Sequence, residues 1–248
     1  MLHYSYEQAG RYQSLADYYK YINLDKHLYY YKYYYRYMYQ LVSQANVERM
    51  NLVQLQDTNK IRFLHASPNT PEVDIHIDDH LIMTLFRYTN SSGYYEIPKK
   101  NFHVTINSKE NKETPLLSRT IQAEENTSYT IALTGVSTEL ELIMIKDDET
   151  LPMNESKFRI WHLSPDTPTM DVAVKKGDVV FPDISYSDMS PYLGITPMTV
   201  DLEKRLAGTK EVIFSLNRVN FNPNLSYTIV IIGFSKGSPA LDTVFLVP

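Results

Sequence analysis

Over most of the chain, apolar and polar positions alternate. Val73, Ile75 and Ile77 are interleaved with Asp74 and His76, and Phe102, Val104 and Ile106 with His103 and Thr105. Tyr129, Ile131 and Leu133 follow the same rule, as do Tyr227, Ile229 and Ile231. A period of two marks a strand with one buried face. The near-continuous apolar runs 227–232 and 244–247 instead predict strands covered on both sides. Turn-forming clusters (SPNTP, TNSSG, NSKENKETP, SPDTP, NFNPN) punctuate these segments. The pattern predicts a mainly β chain built of β-sandwiches, immunoglobulin-like in size.

The N-terminal stretch has a different period. Positions 24, 27, 31, 34, 38, 41, 45, 48, 52 and 55 step alternately by three and four and form a mostly apolar heptad stripe. No proline or glycine lies between Arg11 and Asn51, so a long helix or helical hairpin is expected, with Ser14 to Asp17 as a helix-start box.

Two segments repeat each other. RFLHASPNTPEVDI at 62–75 returns as RIWHLSPDTPTMDV at 159–172, so Arg62, His65, Ser67, Pro68, Thr70, Pro71 and Asp74 recur as Arg159, His162, Ser164, Pro165, Thr167, Pro168 and Asp171. Ser128-Tyr129-Thr130-Ile131 with Gly135 recurs as Ser226-Tyr227-Thr228-Ile229 with Gly233. Units of this length are tandem domains rather than solenoid repeats. The organisation expected is a tyrosine-rich helical extension at 1–56 and two tandem immunoglobulin-like β-sandwich domains at 57–150 and 153–248, with the acidic segment 147–152 as linker.

His65, Ser67 and Asp74, or His162, Ser164 and Asp171, have the residue types of a nucleophilic triad. A reactive serine needs a base in hydrogen-bond reach and free backbone N–H groups for the oxyanion. Pro68 and Pro71 remove two such donors, and no G-x-S-x-G is present. The structural reading is preferred: Ser67 and Thr70 tie down a turn that the prolines stiffen, and Arg62 pairs with Asp74 across neighbouring strands. No enzymatic activity is expected, and a serine hydrolase is the minor alternative. His76, Asp78, Asp79 and His80 resemble a metal-ligand set, but the matching place in the second unit is Ala173-Val174-Lys175-Lys176-Gly177. A hairpin turn at Asp78-Asp79 is preferred, with no metal and no cofactor.

The pattern R-x-x-H-x-S-P-D-x-P-x-V-D-V, with a late Y-T-I/V-x-x-x-G strand, resembles Domain of Unknown Function 4397. The resemblance covers two copies, at about 60–150 and 157–248. Asn69 stands where Asp is usual, and Met170 where Val is usual. It implies tandem β-sandwich modules of bacterial secreted or envelope proteins without established enzymatic activity. The tyrosine-rich extension lies outside it.

Composition then narrows the function. Net charge is −5, and the segment 1–56 is the basic part, so the acidic body disfavours nucleic-acid binding. There is no cysteine, which removes disulfides and thiolate chemistry. No run has the length of a membrane span and the N-terminus lacks a signal-peptide core, so the expectation is synthesis in the cytoplasm and deposition on a surface such as a spore coat.

Of the 21 tyrosines, 14 lie in the first 40 residues. The densest block comprises Tyr29, Tyr30, Tyr31, Lys32, Tyr33, Tyr34, Tyr35, Arg36, Tyr37 and Tyr39, which surround a helix on every side. Rings with polar tips suit partly wet interfaces, and Lys26, Lys32 and Arg36 are spaced to lie over them. The block is expected to mediate assembly with a second copy or another envelope or coat protein. Stacking on glycan and packing on the chain's own β-domains are the alternatives.

Overall fold

The computed structural model describes residues 2–54, 58–109 and 114–247. The chain separates into two units, Met1–Asp57 and Thr58–Pro248.

The first unit is a helical hairpin of α1 (Leu2–Tyr19) and α2 (Leu24–Gln54). Asn23 starts α2, its Oδ1 accepting the Lys26 N–H at 3.0 Å, and Asp25 sits where the helix dipole favours an anion. Ser14 does not start a helix. It lies inside α1, where its hydroxyl donates back to the Gly10 carbonyl at 3.0 Å. Neither helix is apolar enough to cross a membrane, among the described residues.

The second unit holds two halves of identical topology. In the first, β1 (Asn59–His65), β4 (Tyr95–Ile97), β7 (Ser128–Val136) and β8 (Glu139–Lys146) form a sheet of order β4-β1-β7-β8, in which β1 and β7 are parallel. The sheet β3-β2-β5-β6 is antiparallel throughout and consists of β2 (Val73–Ile77), β3 (His80–Phe86), β5 (Asn101–Ser108) and β6 (Leu117–Gln122). Ile61, Phe63, Ile75, Val104, Ile106, Ile131 and Leu133 fill the core between the two sheets.

The second half repeats this plan. One sheet runs β12 (Leu193–Ile195), β9 (Ser156–His162), β15 (Leu225–Ile232), β16 (Asp242–Leu246), again with a central parallel pair. The other runs β11 (Val179–Ile184), β10 (Met170–Val174), β13 (Met198–Leu206), β14 (Val212–Phe221).

A third apolar layer joins the halves. On β1, Ile61 and Phe63 face their own core while Leu64 and Ala66 face the other way; on β9, Phe158 and Ile160 face inward while Trp161 and Leu163 face out. Leu64, Ala66, Ala132 and Ile145 pack against Trp161, Leu163, Val230, Ile232 and Leu246. The sheets containing β1 and β9 are therefore apolar on both faces, which explains the continuous run at 227–232; in the run 244–247 Leu246 is buried, whereas Phe245 and Val247 are exposed. The unit has four sheets and three cores.

Candidate functional site

The helical seam places the tyrosines. Along α1, Ala9 and Ala16 are buried, and their small side chains leave slots for the rings of α2. Tyr12 lies between them and stacks on Tyr33 at 5.3 Å and on Tyr37 at 5.7 Å between ring centroids. Tyr19 stacks on Tyr30 at 5.6 Å, and the His27 ring meets the Ala16 carbonyl at 2.8 Å. The inward stripe of α2 thus runs through His27, Tyr30, Tyr33 and Tyr37. Of the expected heptad line, His27, Tyr34, Met38 and Leu41 are half-buried, while Leu24 and Tyr31 are 66% and 50% exposed. The expected side-chain positions 45, 48, 52 and 55 lie outside the described ones.

The outer face carries Tyr29, Tyr31, Tyr35 and Tyr39, each at least half exposed, with Tyr6, Tyr18 and Tyr21 also exposed. Tyr34 is half-buried and contacts Tyr31. Of the three cations expected over rings, Lys26 meets the face of Tyr19 at 4.9 Å. Lys32 and Arg36 are exposed and make no such contact among the described residues.

The repeated motif occupies the β body, where its arginines, histidines, serines, threonines and Asp74 and Asp171 are buried while Pro71 and Pro168 are exposed. Ser67 donates to the Gly135 carbonyl at 2.8 Å and shares a 2.7 Å bond with the Thr70 hydroxyl. Ser164 does the same with Gly233 and Thr167, both at 2.6 Å. Gly135 and Gly233 have φ near +84° and +87°, and a Cβ there would come within 2.1 and 2.2 Å of the Glu139 and Ala240 carbonyl oxygens, so only glycine fits. Asn69 accepts the Ser137 N–H at 2.9 Å, and Asp166 accepts the Ser235 N–H at 2.7 Å. An acceptor oxygen is all that position needs, which is why Asn and Asp both serve. Pro68, Pro71, Pro165 and Pro168 bracket these turns. Ser67→Ala and Ser164→Ala are each expected to cost about 1–3 kcal/mol, because a buried carbonyl and a buried hydroxyl lose their partner. Denaturant titration reads that loss.

The histidines fill the inner cores. His65 and His162 are fully buried; the His65 Nε2 donates to the Pro71 carbonyl at 3.3 Å, and the His162 Nδ1 accepts the Ser164 N–H at 3.3 Å. Burial pushes the pKa of His65 down and that of His162 down to about 4, so both rings are neutral at pH 7. Asp74 accepts the Leu85 N–H, and Asp171 accepts the N–H groups of Asp183 and Gly208. Leu85 and Asp183 have φ near +54° and +53°, so these carboxylates hold bulges in the edge strands β3 and β11.

Arg62 does not pair with Asp74. The two motif arginines point to the layer between the halves and converge on Asp147. Asp147 accepts Arg62 Nη2 at 3.3 Å on one oxygen and Arg159 Nη2 at 2.9 Å on the other. Thr130 and Tyr94 also donate to it, at 2.6 and 2.7 Å. Tyr94 covers the Arg62 guanidinium at 4.8 Å and Tyr192 covers that of Arg159 at 4.4 Å. Burial, then the charge of Asp147, holds the Tyr94 phenol well above its usual range. Sequence reasoning placed Asp147 in a linker. The only signal for the cluster was the repeat of Thr130 as Thr228, each of which accepts from its arginine.

Asp78 and Asp79 form the two-residue turn between β2 and β3, both with positive φ. The Asp78 carboxylate takes the His103 N–H at 2.8 Å and Lys99 Nζ at 2.6 Å, and it is these bonds that lower its pKa.

A family model described as Domain of unknown function (DUF4397) matches residues 59–173 and 156–247. The chain belongs to the DUF4397 family. No curated protein matches it. Among solved structures, the C-terminal domain of AlgF from P. aeruginosa is 19% identical, with 38% of this chain and 99% of that chain covered at a TM-score of 0.30. A fimbrial assembly protein from Parabacteroides distasonis is 10% identical, with 77% and 95% covered at a TM-score of 0.23. At these scores the likenesses say nothing of what this DUF4397 protein does.

Proposed function

We propose that this DUF4397 protein is a non-enzymatic structural or adhesive component of a bacterial cell or spore surface, and that its tyrosine-rich hairpin mediates assembly or attachment. One observation carries the reading. Among the described residues, every tyrosine in the exposed class lies on the hairpin, although the seam between the helices consumes only Tyr12, Tyr19, Tyr30, Tyr33 and Tyr37. Exposed aromatic rings in such number are what protein contact surfaces carry. The absence of a catalytic role is supported by the motif serines, whose hydroxyl protons are directed at buried carbonyls rather than at a base. Each half is taken as immunoglobulin-like in the broad sense of two facing sheets around one core.

The test is light scattering with negative-stain microscopy on the full chain and on a variant carrying Tyr29→Ser, Tyr31→Ser, Tyr35→Ser and Tyr39→Ser. The full chain is expected to form oligomers or fibres and the variant to remain monomeric with the same melting of its β body. Two monomers, with the full chain alone retained on insoluble cell-wall glycan, would replace assembly by glycan attachment. Two monomers that both ignore glycan would end the proposal.

A further inference from the structure

The hairpin rings form one connected path. Tyr18 meets Tyr19 at 4.9 Å, Tyr19 meets Tyr30 at 5.6 Å, and Tyr30 meets Tyr12 at 6.4 Å. Tyr12 continues to Tyr33 at 5.3 Å and to Tyr37 at 5.7 Å, while Tyr29 touches both Tyr30, at 5.3 Å, and Tyr33, at 5.0 Å. Tyr33 lies one turn along α2 from Tyr29, so helical spacing joins the exposed ring to the stack.

We propose that this ring network is a site of one-electron oxidation, in which a radical formed on any member is passed to Tyr29 and ends in a carbon–carbon bond between two copies of the chain. The proposal rests on the assembly reading above, since a second copy must come within reach. Electrons exchange readily between aromatic rings in contact, so the network collects oxidation events over several phenols. The rings of Tyr12, Tyr30, Tyr33 and Tyr37 are half-buried in the seam and so less open to another molecule. Tyr29 is 56% exposed and is the exit. Tyr18 is exposed too, but it is reached only through Tyr19, over which the Lys26 ammonium sits, and a cation there disfavours an electron-poor ring. The Tyr33 hydroxyl beside Tyr29 raises the pKa of Tyr29, so the phenol carries its proton until oxidation, when the proton leaves to solvent. The chain has no thiol to intercept the radical.

The step balances with hydrogen peroxide acting through a haem peroxidase as oxidant. Each of two Tyr29 phenols loses one electron and its hydroxyl proton. The two radicals join at the ring carbons ortho to oxygen, and the hydrogens at those carbons shift to the oxygens and restore both rings. The two electrons and two protons reduce one peroxide to two waters.

The experiment treats the full chain with a haem peroxidase and hydrogen peroxide. It reads dityrosine fluorescence, covalent dimer on denaturing gels, and the joined peptides by mass spectrometry. Dimers joined mainly through Tyr29 are expected. Tyr29→Phe should lower the yield several-fold, and so should Tyr12→Phe, which keeps the ring but loses the phenol. Tyr21→Phe, at an exposed ring outside both the network and the four-tyrosine face, should leave the yield unchanged. Bonds distributed equally over Tyr21, Tyr29 and Tyr35, or no effect of Tyr12→Phe, would overturn the proposal. Light scattering before peroxide separates the two readings: copies that associate but form no bond leave assembly standing and remove this inference. Monomers that still join through Tyr29 do the reverse.

Discussion

Asp147→Asn is expected to destabilise the β body by about 3–5 kcal/mol, the usual penalty when one partner of a buried ion pair is removed. The substitution keeps the size of the side chain and removes its charge. Two guanidiniums, Arg62 and Arg159, would then remain in the layer between the halves, at side-chain exposures of 4% and 3%, without a counter-charge. Their bonds to the Val247 and Lys146 carbonyls and to the two threonines would persist, but these are neutral acceptors. Arg62→Met should cost less, because Asp147 keeps Arg159. Equilibrium urea titration of both variants checks the order. Equal losses would mean that the two arginines do not share the carboxylate as the geometry has them.

Lys204→Ile is expected to act in the opposite direction and stabilise the protein at pH 7 by about 2–4 kcal/mol. Lys204 is 1% exposed, with its ammonium 2.9 Å from the Thr243 hydroxyl and 4.4 Å from the centre of the Phe214 ring. Burial pushes its pKa down to about 7. Register shows what it replaces: Val172 pairs with Lys204 as Ile75 pairs with Ile106, so the first half has a core isoleucine at this position. The pH dependence follows from linkage. Between pH 7 and about 10.4 the unfolded lysine holds a proton that the folded one has lost, so stability rises with pH across that window. The variant should show no such rise from this site. Identical pH–stability curves for the two proteins from pH 7 to 10 would show that Lys204 is charged and accommodated in the fold.

What the sequence made legible was local or repeated. Strand periodicity located the β segments, and the duplicated motif anticipated two halves of one topology, because both signals depend on residues close in the chain or copied at a fixed offset. The doubly covered strand at 227–232 showed in the same way, as an apolar run without alternation. The arginine cluster did not, because Asp147 lies 85 residues from Arg62 and belongs to neither copy of the motif. Asp74 was the nearer partner for a charge argument, yet its oxygen serves the backbone of a bulge, a use that only the folded register reveals. The seam of the hairpin was only partly legible for a related reason. Tyrosine counts as apolar or polar according to where its hydroxyl ends, and period alone does not choose between two adjacent stripes. In the same way Ser14 has the composition of a cap but lies within a helix that continues on both sides.

The central place of β1 has a mechanical consequence. A pull applied to the backbone at Asn59 enters the β body along this strand. That strand is flanked on one side by β4 and on the other by β7, with registered partners from Lys60 to His65 along the parallel edge. Tension along β1 therefore meets its interstrand bonds in shear, so that several must yield together, whereas a strand at the margin of a sheet would peel one bond at a time.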